Sequence, residues 1–317
     1  MASSEAGALF TLLVFPGFLF VAASGLVGEF VDRKVYARLQ NRMGPPWYQP
    51  FADFVKLLSK EDLVPEGADR AIFRAVPVLA LASAVTPIFY IPLWSASAVR
   101  RFEGDAVVAL YLLTIPTLCF FLGGWFSRSL FAGIGAVRTL TQLFAYEVPL
   151  FLAVLSPAVL AGSWSLSGIA AFYHAHPGHA FADLLGFAVA VVALLGKLEK
   201  VPFDIPEAET EIVGGAFTEY SGKRLALFRL AIGAEAGVTA SLVAAVFLPW
   251  GLGAPPALGF ALYAAKVLLV LFLLAVLRSV LARLRIEQMV DFCWKWMAPA
   301  GLVQLLVSVV LGAMVKP

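Results

Sequence analysis

Five carboxylates, Asp204, Glu207, Glu209, Glu211 and Glu219, fall within residues 203–222, FDIPEAETEIVGGAFTEYSG, and that stretch contains no Lys or Arg. Pro202 and Pro206 prevent a regular helix at its start, while Gly214 and Gly215 allow sharp turns. Phe203, Ile205, Ile212, Val213 and Phe217 are interleaved with the acids, so the segment has apolar area to bury. Carboxylates crowded in a partly buried loop cannot all ionise freely, and some should hold protons. A solvated acidic loop is the plainer alternative.

Three further ionisable residues stand inside apolar runs: Glu147 in LFAYEVPLF, Glu235 in LAIGAEAG and Lys266 in LYAAKVLLV. A charge at the centre of a membrane-spanning helix costs ~2.5–3.5 kcal/mol on insertion scales, so such residues are read first as functional. At about 1.5 Å of rise per residue all three fall near mid-membrane and could form one polar axis. One reading is a structural salt bridge, for example Glu235 with Lys266. The other is a proton relay, because a desolvated carboxylate near a cation can change protonation state near neutral pH.

The elements that must carry these groups follow from composition. The 317 residues are 61% hydrophobic and 14% charged, far from the balance of a soluble domain. About 20 apolar residues cross a bilayer as a helix, and isolated strands cannot satisfy their backbone in lipid. Eight such stretches are present, at roughly 6–30, 72–95, 106–125, 133–161, 180–198, 225–250, 257–282 and 294–315. The predicted fold is therefore all-α: a single polytopic membrane domain over residues 1–317. The first stretch has no Lys or Arg before it and reads as a retained span, not a cleaved signal.

Lysine and arginine orient the bundle. Arg33, Lys34, Arg38, Arg42, Lys56, Lys60 and Arg70 lie between spans one and two, Arg128 and Arg138 near the next odd connection, and Lys200, Lys223 and Arg224 in the third. Arg283, Arg285 and Lys295 lie in the fourth, whereas 162–179 and 251–256 carry none and Arg100 and Arg101 are the exception. The positive-inside rule then places the heavy loops, about 31–71 and 199–224, in the cytoplasm and both termini on the outer face. In QPFADFVKLLSKED, Phe51, Phe54, Val55 and Leu58 recur at helical spacing. That predicts an amphipathic helix at the interface, serving either as an anchor or as a docking surface.

Other signals exclude more than they assign. A net charge of +2 gives no reason to expect a nucleic-acid partner. Cys119 and Cys293 are far apart and belong to no C-x-x-C pair, so this chain alone should build no zinc or iron–sulfur site. His174, His176 and His179 have a metal-like spacing, but they share an outer loop with Pro and Gly, and no metal site is expected there. Trp47 and Trp164 read as interfacial anchors.

Three long stretches carry a resemblance: ARLQNRMGPPWYQPFADFVKLLSKED (37–62), GWFSRSLFAGIGAVRTLTQLFAYEVPL (124–150) and KVPFDIPEAETEIVGGAFTEYSG (200–222). The sequence resembles the H-subunit (mitochondrial subunit 1) family of respiratory complex I and the corresponding subunit of membrane-bound group 4 nickel–iron hydrogenases and formate hydrogenlyase. The resemblance implies a multi-pass subunit of a prokaryotic cytoplasmic membrane that binds no redox centre of its own. It implies coupling of a peripheral electron-transfer arm to proton or sodium translocation. Its partners would be hydrogenase-like or complex I-like large and small subunits, a ferredoxin-like iron–sulfur subunit and antiporter-like membrane subunits, with nickel–iron and iron–sulfur clusters held by those partners and quinone a possible ligand.

On matching positions, Glu147, Glu209, Glu211 and Glu219 would belong to the family's acidic path, with Glu235 and Lys266 beside it. Asp204 and Glu207, with Arg33, Arg38, Arg42, Pro45, Gln49 and Asp53 of the first loop, would line the docking surface or cavity. The MGPPWYQP segment is shorter than its complex I counterpart, PFDIPEAETEI leans the same way, and Ile232 stands where complex I carries an acid, with Glu235 one turn on. These departures favour the hydrogenase type over the quinone-cavity H-subunit of an NADH-quinone oxidoreductase. A stand-alone secondary transporter is the rival of another class, but it would show inverted repeats, and none is evident.

Overall fold

The computed structural model describes residues 2–95 and 97–315, with residues 2–4, 209 and 315 in backbone only. Among the described residues there are helices and no strands, and eight helical stretches are long and apolar enough to cross a membrane. In order the helices are α1 (Ala2–Leu13), α2 (Phe18–Leu39), α3 (Gln49–Ser59), α4 (Arg70–Val85), α5 (Asp105–Phe126), α6 (Leu130–Ala161) and α7 (Leu166–Ala175). There follow α8 (Leu184–Lys197), α9 (Glu209–Ile212), α10 (Gly222–Phe247), α11 (Pro256–Val280), α12 (Ile286–Phe292) and α13 (Ala298–Val315).

The eight predicted spans are all present, with informative differences at their ends. The first is two helices, because Pro16 and Gly17 interrupt it between Leu13 and Phe18. Its second part runs on to Leu39, so Arg33 and Arg38 are helical and not in a loop. The second span ends in a 3-10 turn, Thr86–Phe89, short of the predicted residue 95, where Pro87 and Pro92 withhold backbone donors. Pro77, Pro116, Pro149 and Pro157 lie inside helices, which membrane bundles tolerate because neighbouring groups satisfy the freed carbonyls.

The chain divides into two compact units. Unit 1 comprises Met1–Ile88, Leu112–Thr141 and Asp204–Val238. Its centre is aromatic: Phe73 stacks on Tyr220 with ring centroids 4.0 Å apart, and Phe228 meets Tyr220, Phe217 and Phe120 at 4.8, 5.1 and 5.7 Å. Such pairs add to the stabilisation from the area they bury. Within this unit α2 approaches α10 so closely that a Cβ on Gly25 would stand 2.7 Å from the Gly233 carbonyl carbon. Small residues at a crossing let helices in lipid gain dispersion contacts where no hydrophobic force drives them together.

Unit 2 comprises Phe89–Tyr111, Gln142–Phe203 and Thr239–Pro317. In it α8 packs against α11 and α13, around Leu160, Leu195, Val270 and Leu274, all fully buried. Asp105 ties the start of α5 to the segment before α7: its carboxylate accepts from the Leu166 amide at 2.6 Å and the Ser165 hydroxyl at 3.0 Å.

Candidate functional site

The acidic loop belongs to unit 1 from Asp204 onward, and its backbone is held in a compact turn. Gly215 has φ +53°, and a Cβ there would run into the Pro206 carbonyl oxygen, so glycine is required. Of the interleaved apolar residues Phe203, Ile205, Ile212 and Phe217 are buried, together with Ala208 and Ala216, whereas Val213 is 59% exposed. Glu207, partly exposed, and Glu211, exposed, lie outward on this buried frame. Glu211 is ion-paired with Arg138 of α6 at 2.6 Å, and the same guanidinium donates to the Ile205 carbonyl at 3.4 Å. Glu207 is ion-paired with Arg229 of α10 at 3.1 Å, and Arg229 also lies 5.9 Å from the centre of the Phe217 ring.

A loop with no cation of its own thus receives two from neighbouring helices. Such pairing offsets part of the mutual repulsion anticipated from crowded carboxylates. Asp204 and Glu219 are half-buried in the same segment. The side chain of Glu209 lies outside the described residues.

The first loop is stitched to the end of the acidic one. The Ser221 hydroxyl donates to the Glu61 carbonyl at 3.2 Å and accepts from the Leu63 amide at 3.1 Å. Arg224 pairs with Asp62 at 2.8 Å and lies over the Phe73 ring at 5.7 Å. Tyr220 hydrogen-bonds the Phe73 carbonyl at 3.4 Å; burial holds its phenol above the ordinary range, with Arg224 pulling the other way. The motif around Lys60–Asp62 and the start of α10 therefore form one surface of unit 1.

Of the predicted docking residues, Arg33, Asp53 and Gln49 come together. Arg33 pairs with Asp53 at 3.0 Å and with Glu29 one turn earlier, and Gln49 donates to Asp53 at 2.8 Å. Lys34 donates to the carbonyls of Gly44 and Pro45 at 3.2 and 3.3 Å, folding the Met-Gly-Pro-Pro segment back onto α2. Arg38 and Arg42 are exposed. The amphipathic helix is α3, with Val55 62% and Leu58 40% exposed as a lipid-facing side requires.

The predicted membrane charges have distinct surroundings. Glu235, 1% exposed, lies on α10 in unit 1, within electrostatic reach of Cys119. Glu147 is half-buried on α6 in unit 2. One turn before it Gln142 donates to the Gly196 carbonyl at 2.7 Å, and Lys197, 3% exposed, lies 5.9 Å from the Tyr146 ring centre. Lys266 donates to the carbonyls of Leu248 and Trp250, each at 2.9 Å, in the connection that follows α10. Carbonyls outside a helix have no ladder partner, and a lysine can supply the donor.

In the sequence, Lys34, Arg138 and Arg224 signal only topology, and nothing local marks Asp62, Lys197 or Arg229 as partnered. Most of these pairings link residues far apart in the chain. Cys119 and Cys293 are buried free thiols, and among the described residues no group of three metal-ligating side chains occurs. His176 instead stacks on Phe172 at 4.9 Å.

The sequence profile of the NADH dehydrogenase family matches residues 10–309. The chain is 34% identical over 292 residues to the H-subunit of NADH-quinone oxidoreductase from Syntrophotalea carbinolica, covering 87% of this chain and 88% of that one. It is 35% identical over 301 residues to the first-numbered H-subunit of NADH-quinone oxidoreductase from Geobacter metallireducens, covering 88% and 89%. Among solved structures it is similar to a chain of the membrane-bound sulfane sulfur reductase, an archaeal respiratory membrane complex, with a TM-score of 0.81, 28% identity and coverage of 92% and 96%.

Proposed function

Because the chain belongs to the NADH dehydrogenase family, whose H-subunit members it matches over nearly its whole length, we propose that it anchors the electron-transferring arm of an NADH-quinone oxidoreductase and couples it to ion translocation. It is a multi-pass membrane subunit of the complex I-like type, and its bacterial relatives point to the cytoplasmic membrane. A stand-alone transporter does not fit that family.

The observation that carries the coupling role is the arginine-clamped acidic loop, with Glu207 and Glu211 held by Arg229 and Arg138. A displacement at the arm side of this loop would break ion pairs, and a broken pair exposes charge to which nearby protons or cations respond. Glu235 and Glu147 are the carboxylates within spans suited to carry the response, each within its own unit. The electron carriers would reside in partner subunits, since two separate thiols are too few to ligate a cluster.

The named relatives favour quinone reduction over the hydrogenase chemistry expected from the sequence. One observation keeps a hydrogenase-type arm as a second reading: the short MGPPWYQP segment, folded onto α2 by Lys34. Mass spectrometry of the complex purified gently with this subunit tagged separates the two. A flavin-bearing NADH module with bound quinone supports the first. A nickel–iron large subunit supports the second and overturns the first, and recovery of the chain alone counts against both.

A further inference from the structure

Unit 2 contains a cavity of about 490 Å³ that the proposed coupling does not use. It lies where α7, the 3-10 turn Pro177–Asp183, the first turns of α8 and the connection after α10 converge. Its wall is mostly apolar, with Phe181, Leu184, Phe187, Phe247, Leu248 and Trp250 contributing. Ligand cavities of this size range are commonly apolar with few polar groups.

The polar groups in the wall are largely committed to one another. Tyr173 and Asp183, both 2% exposed, are hydrogen-bonded together. Asp183 also accepts from Gln304 at 2.8 Å and from Ser308 at 3.5 Å, and Gln304 donates to the Ala182 carbonyl at 3.1 Å. What the wall offers an occupant is therefore hydrocarbon, with the exposed His174 as its polar edge.

Of its lining residues, Phe181, Leu184 and Trp250 are 84%, 65% and 58% exposed. Phe181 and Leu184 lie in the apolar stretch Pro177–Lys197, one of the candidate spans. Side chains so exposed are at ease against acyl chains and not against water. The flanking segments 162–179 and 251–256 carry no lysine or arginine, and the ammonium of Lys266 is spent on the Leu248 and Trp250 carbonyls, so these groups offer no free cation to an anionic headgroup.

From this geometry we infer a lipid site: one acyl chain of a membrane phospholipid fills the cavity, with its headgroup at His174 and without selection for anionic lipids. The test uses the tagged complex, reconstituted in phosphatidylcholine vesicles doped with phosphatidylcholine bearing a diazirine on one acyl chain. After illumination, adducts are mapped by peptide mass spectrometry. Leu306, 64% exposed on α13, serves as the standard for general lipid contact.

Adducts are expected at Phe187 and at Phe247, although Phe247 is only 6% exposed. Replacing Ala180, which lines the cavity, by Trp should remove the Phe247 adduct and leave that at Leu306. Exchange of phosphatidylcholine for phosphatidylglycerol should leave the Phe247 yield unchanged. Labelling of Leu306 without Phe187 and Phe247 would overturn the site, as would preferential labelling of Phe247 by a water-soluble diazirine. Both of these measurements use the unaltered chain, so a misfolded Ala180→Trp variant does not prevent a decision. A Phe247 yield that rises with phosphatidylglycerol would overturn the claim of no charge selection.

Discussion

The Glu211 carboxylate lies 2.6 Å from Nη1 of Arg138, a residue of another helix and 73 positions away in sequence. The acidic loop is thus partly neutralised from outside itself, at Glu211 and Glu207. The pair is partly exposed, with side chains 26% (Arg138) and 49% (Glu211) accessible, so its share of stability is about 1 kcal/mol or less. Arg138→Gln or Glu211→Gln should therefore shift the melting temperature little. If the loop converts electron transfer into ion movement, each should lower ion uptake per electron in vesicles. The exchange Arg138→Glu with Glu211→Arg should recover part of it. Equal coupling ratios in wild type and both single variants would remove the loop from the coupling path.

Gly215 and Gly214 make opposite predictions although they are neighbours. Gly215 has φ +53° and its Cβ position collides with the Pro206 carbonyl. Gly214 has φ −129° and a nearest neighbour at 3.6 Å. An L side chain in the left-handed region costs roughly 1–2 kcal/mol before any collision. Gly215→Ala should make the loop at 204–221 sensitive to limited proteolysis and lower the melting temperature, whereas Gly214→Ala should be tolerated. Similar behaviour of the two variants would contradict the packing described for this turn.

Helix number is legible in the sequence because apolar length is a signal along one dimension. Helix ends are less so: α2 continues to Leu39 through VDRKVYARL, whose charges mark the exit from hydrocarbon but not the end of the helix. The acidic residues stand out from oily surroundings. Their arginines do not, because a cation near the end of a span is already accounted for by orientation, and a pairing across 22 or 73 residues leaves no local trace. The partners of Lys266 are hidden for another reason. They are backbone carbonyls, which every residue carries and no sequence pattern marks.

Lys266 therefore permits a direct comparison of roles. Its ammonium donates to the Leu248 and Trp250 carbonyls, both at 2.9 Å. Leaving a buried acceptor unsatisfied costs about 1–3 kcal/mol. Lys266→Met should accordingly lower the melting temperature of the purified complex, and ion translocation should fall only in proportion to the folded fraction. A relay role makes the reverse prediction: unchanged stability with translocation lost per folded molecule. Both quantities come from one preparation by a thermal scan and a vesicle assay.

Glu147 follows Tyr146 on α6, in unit 2, and is half-buried there. A half-buried carboxylate in a span is costly unless it is paired or hydrated, and is read first as functional. Glu147→Gln keeps the shape and removes the ability to release a proton. If this acid carries the translocated charge, the variant should assemble with the other subunits and transfer electrons, while ion uptake in vesicles falls to a small fraction of the wild-type value. Glu147→Asp, which retains the titrating group on a shorter stem, should preserve part of the uptake. That contrast separates proton handling from packing, because a purely structural role would penalise the shortened side chain more than the isosteric amide. Full uptake by the Gln variant would place the relay elsewhere.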